Sequence, residues 1–163
     1  MHADEYPRLA QLIHANRWAA LATLHERAPF ASMVAYAPEA DFSGFLLHLS
    51  RLAPHTRNLL ADPRASLVIS EPDAGGDDPQ TLARVSIQGT VVELTRGSSD
   101  YTDARERYLE HLPMAEQLFG FGDFMLFRLL PADARYTGGF ARAYTLSRVQ
   151  LEVAARATLK GPA

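Results

Sequence analysis

No cysteine occurs anywhere in the chain. That absence removes disulfide bridges, thiolate nucleophiles, Cys-ligated zinc and iron–sulfur clusters together, and it is compatible with a reducing compartment. An excess of one charge sign is also lacking: 16 basic residues stand against 19 acidic ones, a formal net charge of -3, with no block of like charges. No field gathers nucleic acid or an anionic membrane surface, so neither is expected as a partner. No apolar run approaches the roughly 20 residues that span a bilayer as a helix. The opening residues Met1-His2-Ala3-Asp4-Glu5-Tyr6-Pro7 are acidic and carry no apolar targeting core, so the expected location is the cytoplasm.

Catalytic signatures are missing as well. The six histidines form no HExxH or HxH pair, and without cysteine a structural zinc would need carboxylates, so no metal site is assigned. Ser32, Ser50, Ser66 and Ser70 lie outside any Gly-x-Ser-x-Gly elbow. Gly120-Phe121-Gly122 and Gly138-Gly139 lack the further glycines or lysine of a nucleotide loop. No side chain is assigned a catalytic role.

What is present is one domain's worth of core: 163 residues, 47% of them hydrophobic. Apolar positions Tyr6, Leu9, Leu12 and Ile13 predict an N-terminal helix, with Pro7 in its first turn. Trp18 to Leu24 and Phe30 to Ala37 read as a hairpin, Phe45 to Leu49 as a third strand and Ala65 to Ser70 as a fourth. A turn-rich surface loop follows over 71–79. Leu82 to Leu94 reads as a long strand bent at Gly89. Ser98-Ser99-Asp100 can cap a helix from Tyr101 to about Leu112, with Tyr101, Ala104, Tyr108 and Leu112 marking one face, and a further helical turn runs from Pro113 to near Gly120. Two last strands, Asp123 to Leu130 and Arg135 to Phe140, are expected on either side of a turn at Pro131. Residues 1–146 form the domain and 147–163 a C-terminal helix or tail, with Gly161-Pro162 ending any order. Few helices and many hairpin-joined strands predict a mainly β chain built as a small antiparallel barrel.

The chemically richest stretch is Ser50-Arg51-Leu52-Ala53-Pro54-His55-Thr56-Arg57-Asn58, the junction between the third strand and a short helix ending at Asp62-Pro63. Hydroxyls of Ser50 and Thr56, guanidinium groups of Arg51 and Arg57 and the free N–H groups of the first helical turn can converge on one anion such as a phosphate. The same residues also suit a plain helix cap with solvated arginines. Spacing alone leaves both readings open.

Taken in order, Pro29 to Val34, Leu47 to Leu59, Asp62 to Leu67, Asp78 to Gly89, Asp123-Phe124 and Gly138 to Ala143 resemble the flavin-binding split-barrel proteins related to pyridoxamine 5'-phosphate oxidase. Within that family the match is to the heme iron utilization branch, and it covers about residues 10 to 145. The resemblance implies a six-stranded antiparallel split β-barrel with peripheral helices, a homodimer, and flavin mononucleotide (FMN) at the subunit interface. Carried over residue by residue, Ser50, Arg51, His55 and Thr56 meet the phosphate, with Arg84 and Gln88 approaching from the long strand. The flavin ring lies along Ser32, Met33 and Val34. Two departures stand out. His55 occupies the position where many relatives carry a phosphate-binding lysine, and an imidazole is mostly neutral near pH 7. Heme-binding relatives use a histidine near the C-terminus, whereas no histidine follows His111 here.

Three functions follow from the resemblance. The first is an FMN-dependent oxidoreductase acting on an unidentified small molecule, with the cofactor doing the chemistry. The second is a heme-binding or heme-degrading protein. The third is a barrel that binds a cofactor without turnover. The dimer has a further motive, an apolar patch of Phe45, Leu47, Leu49 and Leu126 for a twofold partner to cover.

Overall fold

The computed structural model describes residues 1–76 and 78–158. Asp77 of the expected 71–79 loop and the Gly161-Pro162 terminus lie outside the described residues. In chain order the elements are α1 (Glu5–Ala15), β1 (Trp18–His25), β2 (Ala28–Ala35), β3 (Ala37–Pro38), β4 (Phe45–Ser50), α2 (Pro54–Ala61), β5 (Arg64–Ser70), β6 (Arg84–Glu93), α3 (Ser99–His111), a 3-10 segment (Pro113–Gly120), β7 (Phe124–Thr137), β8 (Ala143–Ser147) and α4 (Arg148–Thr158). All strand pairs are antiparallel, in the order β2-β1-β5-β6-β7-β4-β3, with β8 added to β7. β2, at one end of this order, also approaches β4. The mainly β split barrel with peripheral helices is therefore borne out.

The expected count of six strands is corrected to eight. The pair expected around Pro131 is one continuous strand, β7, bordered by β6 along one edge and by β4 and then β8 along the other. Pro131 does not break it because the β6–β7 register shifts at Gln88/Gly89, which sets Pro131 opposite Gly89 at a bulge where its missing N–H is tolerated. Gly89 is needed there, since a Cβ would run into the Leu130 carbonyl. β8 begins at Ala143, where the sequence pattern fades, and α4 packs against α1 with Leu151, Ala154 and Ala155 buried.

β4 explains its own composition. Phe45, Leu47 and Leu49 point into the barrel core, while Leu46 joins Ala37, Leu94, Tyr101, Ala104, Tyr108, Phe119 and Leu126 in a second apolar layer under α3. Buried on both faces, the strand reads as a continuous apolar run. The apolar patch expected at Phe45, Leu47, Leu49 and Leu126 is thus corrected: all four are at most 5% exposed, covered by the chain itself. Exposed apolar side chains lie elsewhere, among them Trp18, 56% exposed, and Met33, 48% exposed, on the outer face of β1 and β2. No described helix is long and apolar enough to cross a membrane.

Candidate functional site

The junction after β4 does gather donors, and two of them are taken by Asp123 of the same chain. The Ser50 hydroxyl donates to Asp123 Oδ2 at 2.6 Å, and the Arg51 N–H donates to the Asp123 carbonyl at 2.7 Å. Ser50 Oγ also accepts the Leu52 N–H at 3.2 Å. It is not the cap of α2: Ala53 holds that position without a side-chain bond, and Pro54 opens the helix. The Arg57 guanidinium donates to the Leu52 carbonyl at 2.7 Å. Arg51 is exposed, and its side chain makes no hydrogen bond or ion pair with any described residue. Thr56 is fully buried with its hydroxyl unpartnered, so it faces the core and not an incoming phosphate.

His55 reaches from the first turn of α2 to the edge strand, where its Nδ1 lies 3.0 Å from Ser32 Oγ. Burial lowers its pKa below the ordinary histidine value, so the ring is neutral near pH 7. In the tautomer whose Nδ1–H donates to Ser32, Nε2 keeps a free lone pair. One turn on, Asn58 repeats the theme. Its amide donates to Thr23 Oγ1 at 3.0 Å, and its carbonyl oxygen faces His25 Nδ1 at 3.1 Å. Thr23 and Asn58 are buried, which rivets α2 to β1. A recess of about 320 Å³ opens there, lined by Leu24, His25, Glu26, Pro54, Arg57, Asn58 and Ala61.

The remaining expected residues are dispersed. Ser32 and Val34 face the barrel side of β2, whereas Met33 points outward in a row with Ala20 and Val68. Gln88 is exposed on that outer face beside Ser66, lining a shallow 260 Å³ recess. Arg84 pairs with Thr137, at the opposite end of the 14-residue β7 from the Ser50–Phe124 pair, and its guanidinium is tied to the Gln80 and Leu82 carbonyls. One chain therefore unites Ser32 with His55 and Ser50 with Arg51, but brings neither Arg84 nor Gln88 to the junction. A cleft of about 570 Å³ between α1 and the turn after β7 is lined by none of the expected residues. Asp123 and His25 are the site members that residue-by-residue reading missed. Their partners are 73 and 33 positions away, and no local pattern marks such contacts.

Fold and junction together define a split-barrel protein whose strand-to-helix turn carries a neutral, oriented imidazole and an exposed, unpaired guanidinium. The chain belongs to the CREG β-barrel family, whose model matches residues 2–150. It is similar to the chloroplastic heme oxygenase HOZ of Arabidopsis thaliana, 37% identical over 120 residues, covering 74% of this chain and 35% of that protein. It is also similar to the heme oxygenase HutZ of Vibrio cholerae, 29% identical over 119 residues, covering 70% of this chain and 66% of that protein. A heme binding protein from Mycobacterium smegmatis superposes with a TM-score of 0.79 at 30% identity, covering 91% of this chain and 60% of that one. The chain thus spans about a third of the plant relative and about two thirds of the Vibrio one.

Proposed function

We propose that this chain is a heme-binding split-barrel protein in which His55 is the protein ligand to the iron. The observation that carries the reading is the His55–Ser32 pair: a half-buried, neutral imidazole held by one nitrogen and open at the other is the form that ligates a metal. The exposed, unpaired Arg51 of the same junction suits a propionate carboxylate, and Leu52, 73% exposed, offers apolar contact to a porphyrin edge. Bound heme would supply iron-centred redox chemistry, with the chain orienting the ligand and pairing the propionates. Two relatives whose names state heme oxygenase activity, and a structural neighbour named for heme binding, support the same reading. Oxidative cleavage of heme is the reaction proposed for the site.

FMN is the second reading. The free Arg51 favours it, while the Asp123 carboxylate on Ser50 opposes a phosphate at the same hydroxyl. Hemin titration distinguishes the two. A saturable Soret shift at micromolar protein is the expected result. Fluorescence quenching of added FMN without a Soret shift would replace heme by flavin as the cofactor, and neither signal would leave a barrel without a cofactor. A homodimer is proposed through the outer face of β1 and β2, where Trp18, Met33 and the small Ala20 and Ala22 leave an apolar surface that a twofold partner can cover. Light scattering at micromolar concentration should give twice the chain mass, and a monomer would remove the dimer.

A further inference from the structure

His48 sits on β4 two residues before Ser50 and turns away from the barrel into the layer under α3. Its ring stacks on Phe119 of the 3-10 segment with centroids 3.7 Å apart and planes 7° apart, and Tyr108 and Phe124 close the sides. The residue is 6% exposed, yet neither ring nitrogen has a hydrogen-bond partner. An orphaned imidazole in such a layer is costly when neutral and more so when charged.

The surroundings sharpen that asymmetry. From α3, Arg105 lies over the Phe119 ring at 5.2 Å and Tyr108 edges the imidazole; after β6, Arg96 adds a second positive charge. Glu116 on the 3-10 segment is paired with Arg105, and Asp123 before β7 accepts from Ser50. From β7 itself, Phe124 and Leu126 face the layer without charge. No described carboxylate pairs with the ring. The segment that His48 pins runs through Phe121 and Gly122 directly into Asp123, which holds Ser50 and the Arg51 N–H.

We propose that His48 is an acid-sensitive positioning residue: neutral, it keeps the 113–120 segment against the sheet and Asp123 on Ser50, and protonated, it releases both. Burial first, then Arg96 and Arg105, bring the ring's pKa in the closed form down to about 4. In an opened segment it returns toward about 6.5. Opening therefore takes up a proton between those values and is favoured as pH falls, with the opening equilibrium rising about 30-fold between pH 7.5 and pH 5.

Hydrogen–deuterium exchange on the full, ligand-free chain at pH 7.5 and 5.0, corrected for the intrinsic exchange rate, tests this. Residues 113–123 should lose about 30-fold in protection in the wild type while β1 and β5 do not. His48→Phe, which keeps an aromatic stack, and His48→Gln, which keeps a polar side chain, should both remove the pH response, so one variant that folds suffices. The same response in wild type and variants, or a loss spread evenly over the sheet, overturns the proposal. The consequence for ligand binding rests on the heme reading: hemin retention should fall over the same pH range in the wild type and not in the variants. No Soret shift at any pH would sink the heme reading and leave the exchange result standing, whereas acid loss of hemin with 113–123 still protected would sink the latch.

Discussion

His55→Ala is expected to weaken hemin binding by at least about 100-fold, which Soret titration reads directly. The estimate follows from the geometry. A ligating imidazole supplies the iron bond itself, and groups that merely orient such a ligand already account for about 10- to 100-fold. Ser32→Ala removes only the 3.0 Å contact to Nδ1, so it should cost about tenfold by the same rule. The order of the two effects is the informative part. His55 sits on an exposed helix turn and is half-buried, so its loss should leave the unfolding midpoint nearly unchanged while the Soret response collapses. Full hemin affinity in His55→Ala would sink the assignment of the ligand. His25→Ala then becomes the next measurement, because His25 Nδ1 is likewise fixed, by Asn58.

The largest effect on stability is expected from Glu5→Ala. Glu5 is 1% exposed, an unusual place for a carboxylate in a first helical turn. Its Oε2 accepts from the hydroxyl of Tyr136, itself fully buried on β7, at 3.2 Å. Its Oε1 accepts from Arg142 at 3.1 Å, with Arg8 further off at 3.7 Å. Both arginine side chains are about half exposed, so their pairing is screened and weak. The dominant losses are the Tyr136 hydroxyl left unpaired in the core and the cavity beneath it. Burial and the Glu5 charge raise the Tyr136 pKa above the ordinary tyrosine value, so the hydroxyl remains a donor at any working pH. Truncation should cost about 3 kcal/mol, or about 6 to 12 °C in melting temperature for a chain of this size. Glu5→Gln retains an acceptor for Tyr136 and should cost clearly less. A change below about 1 kcal/mol in urea unfolding of Glu5→Ala would show that α1 is held by its apolar face alone.

The same contact shows where tertiary structure overrides local reading. In the sequence Glu5 is an ordinary first-turn acid, and only the return of β7 and the Gly138-Gly139 turn buries it. At Gly138 a Cβ would meet the Glu5 carboxylate and the Tyr136 hydroxyl, so a larger residue there would have to displace that pair. Pro131 is a turn signal by local chemistry and lies mid-strand, because a register shift 42 positions away in the chain excuses its missing donor. His48 reads as one more residue of an apolar strand, and its unpaired ring becomes visible only when Phe119 folds over it.

The sequence by itself determined the class and the frame. Alternating and doubly buried strands, the Gly89 bend, the face of α3 and the Ser50–Asn58 junction are properties of neighbours in the chain, where periodicity and turn chemistry act over a few residues. Only the tertiary structure decided which groups meet. It gave His55 to Ser32, Ser50 to Asp123 and Asn58 to Thr23 and His25, and it set Arg84 at the far end of β7. Those pairings depend on strand register and on the packing of helices over the barrel mouth, which sum many weak contacts across the whole chain and leave no mark in any single segment.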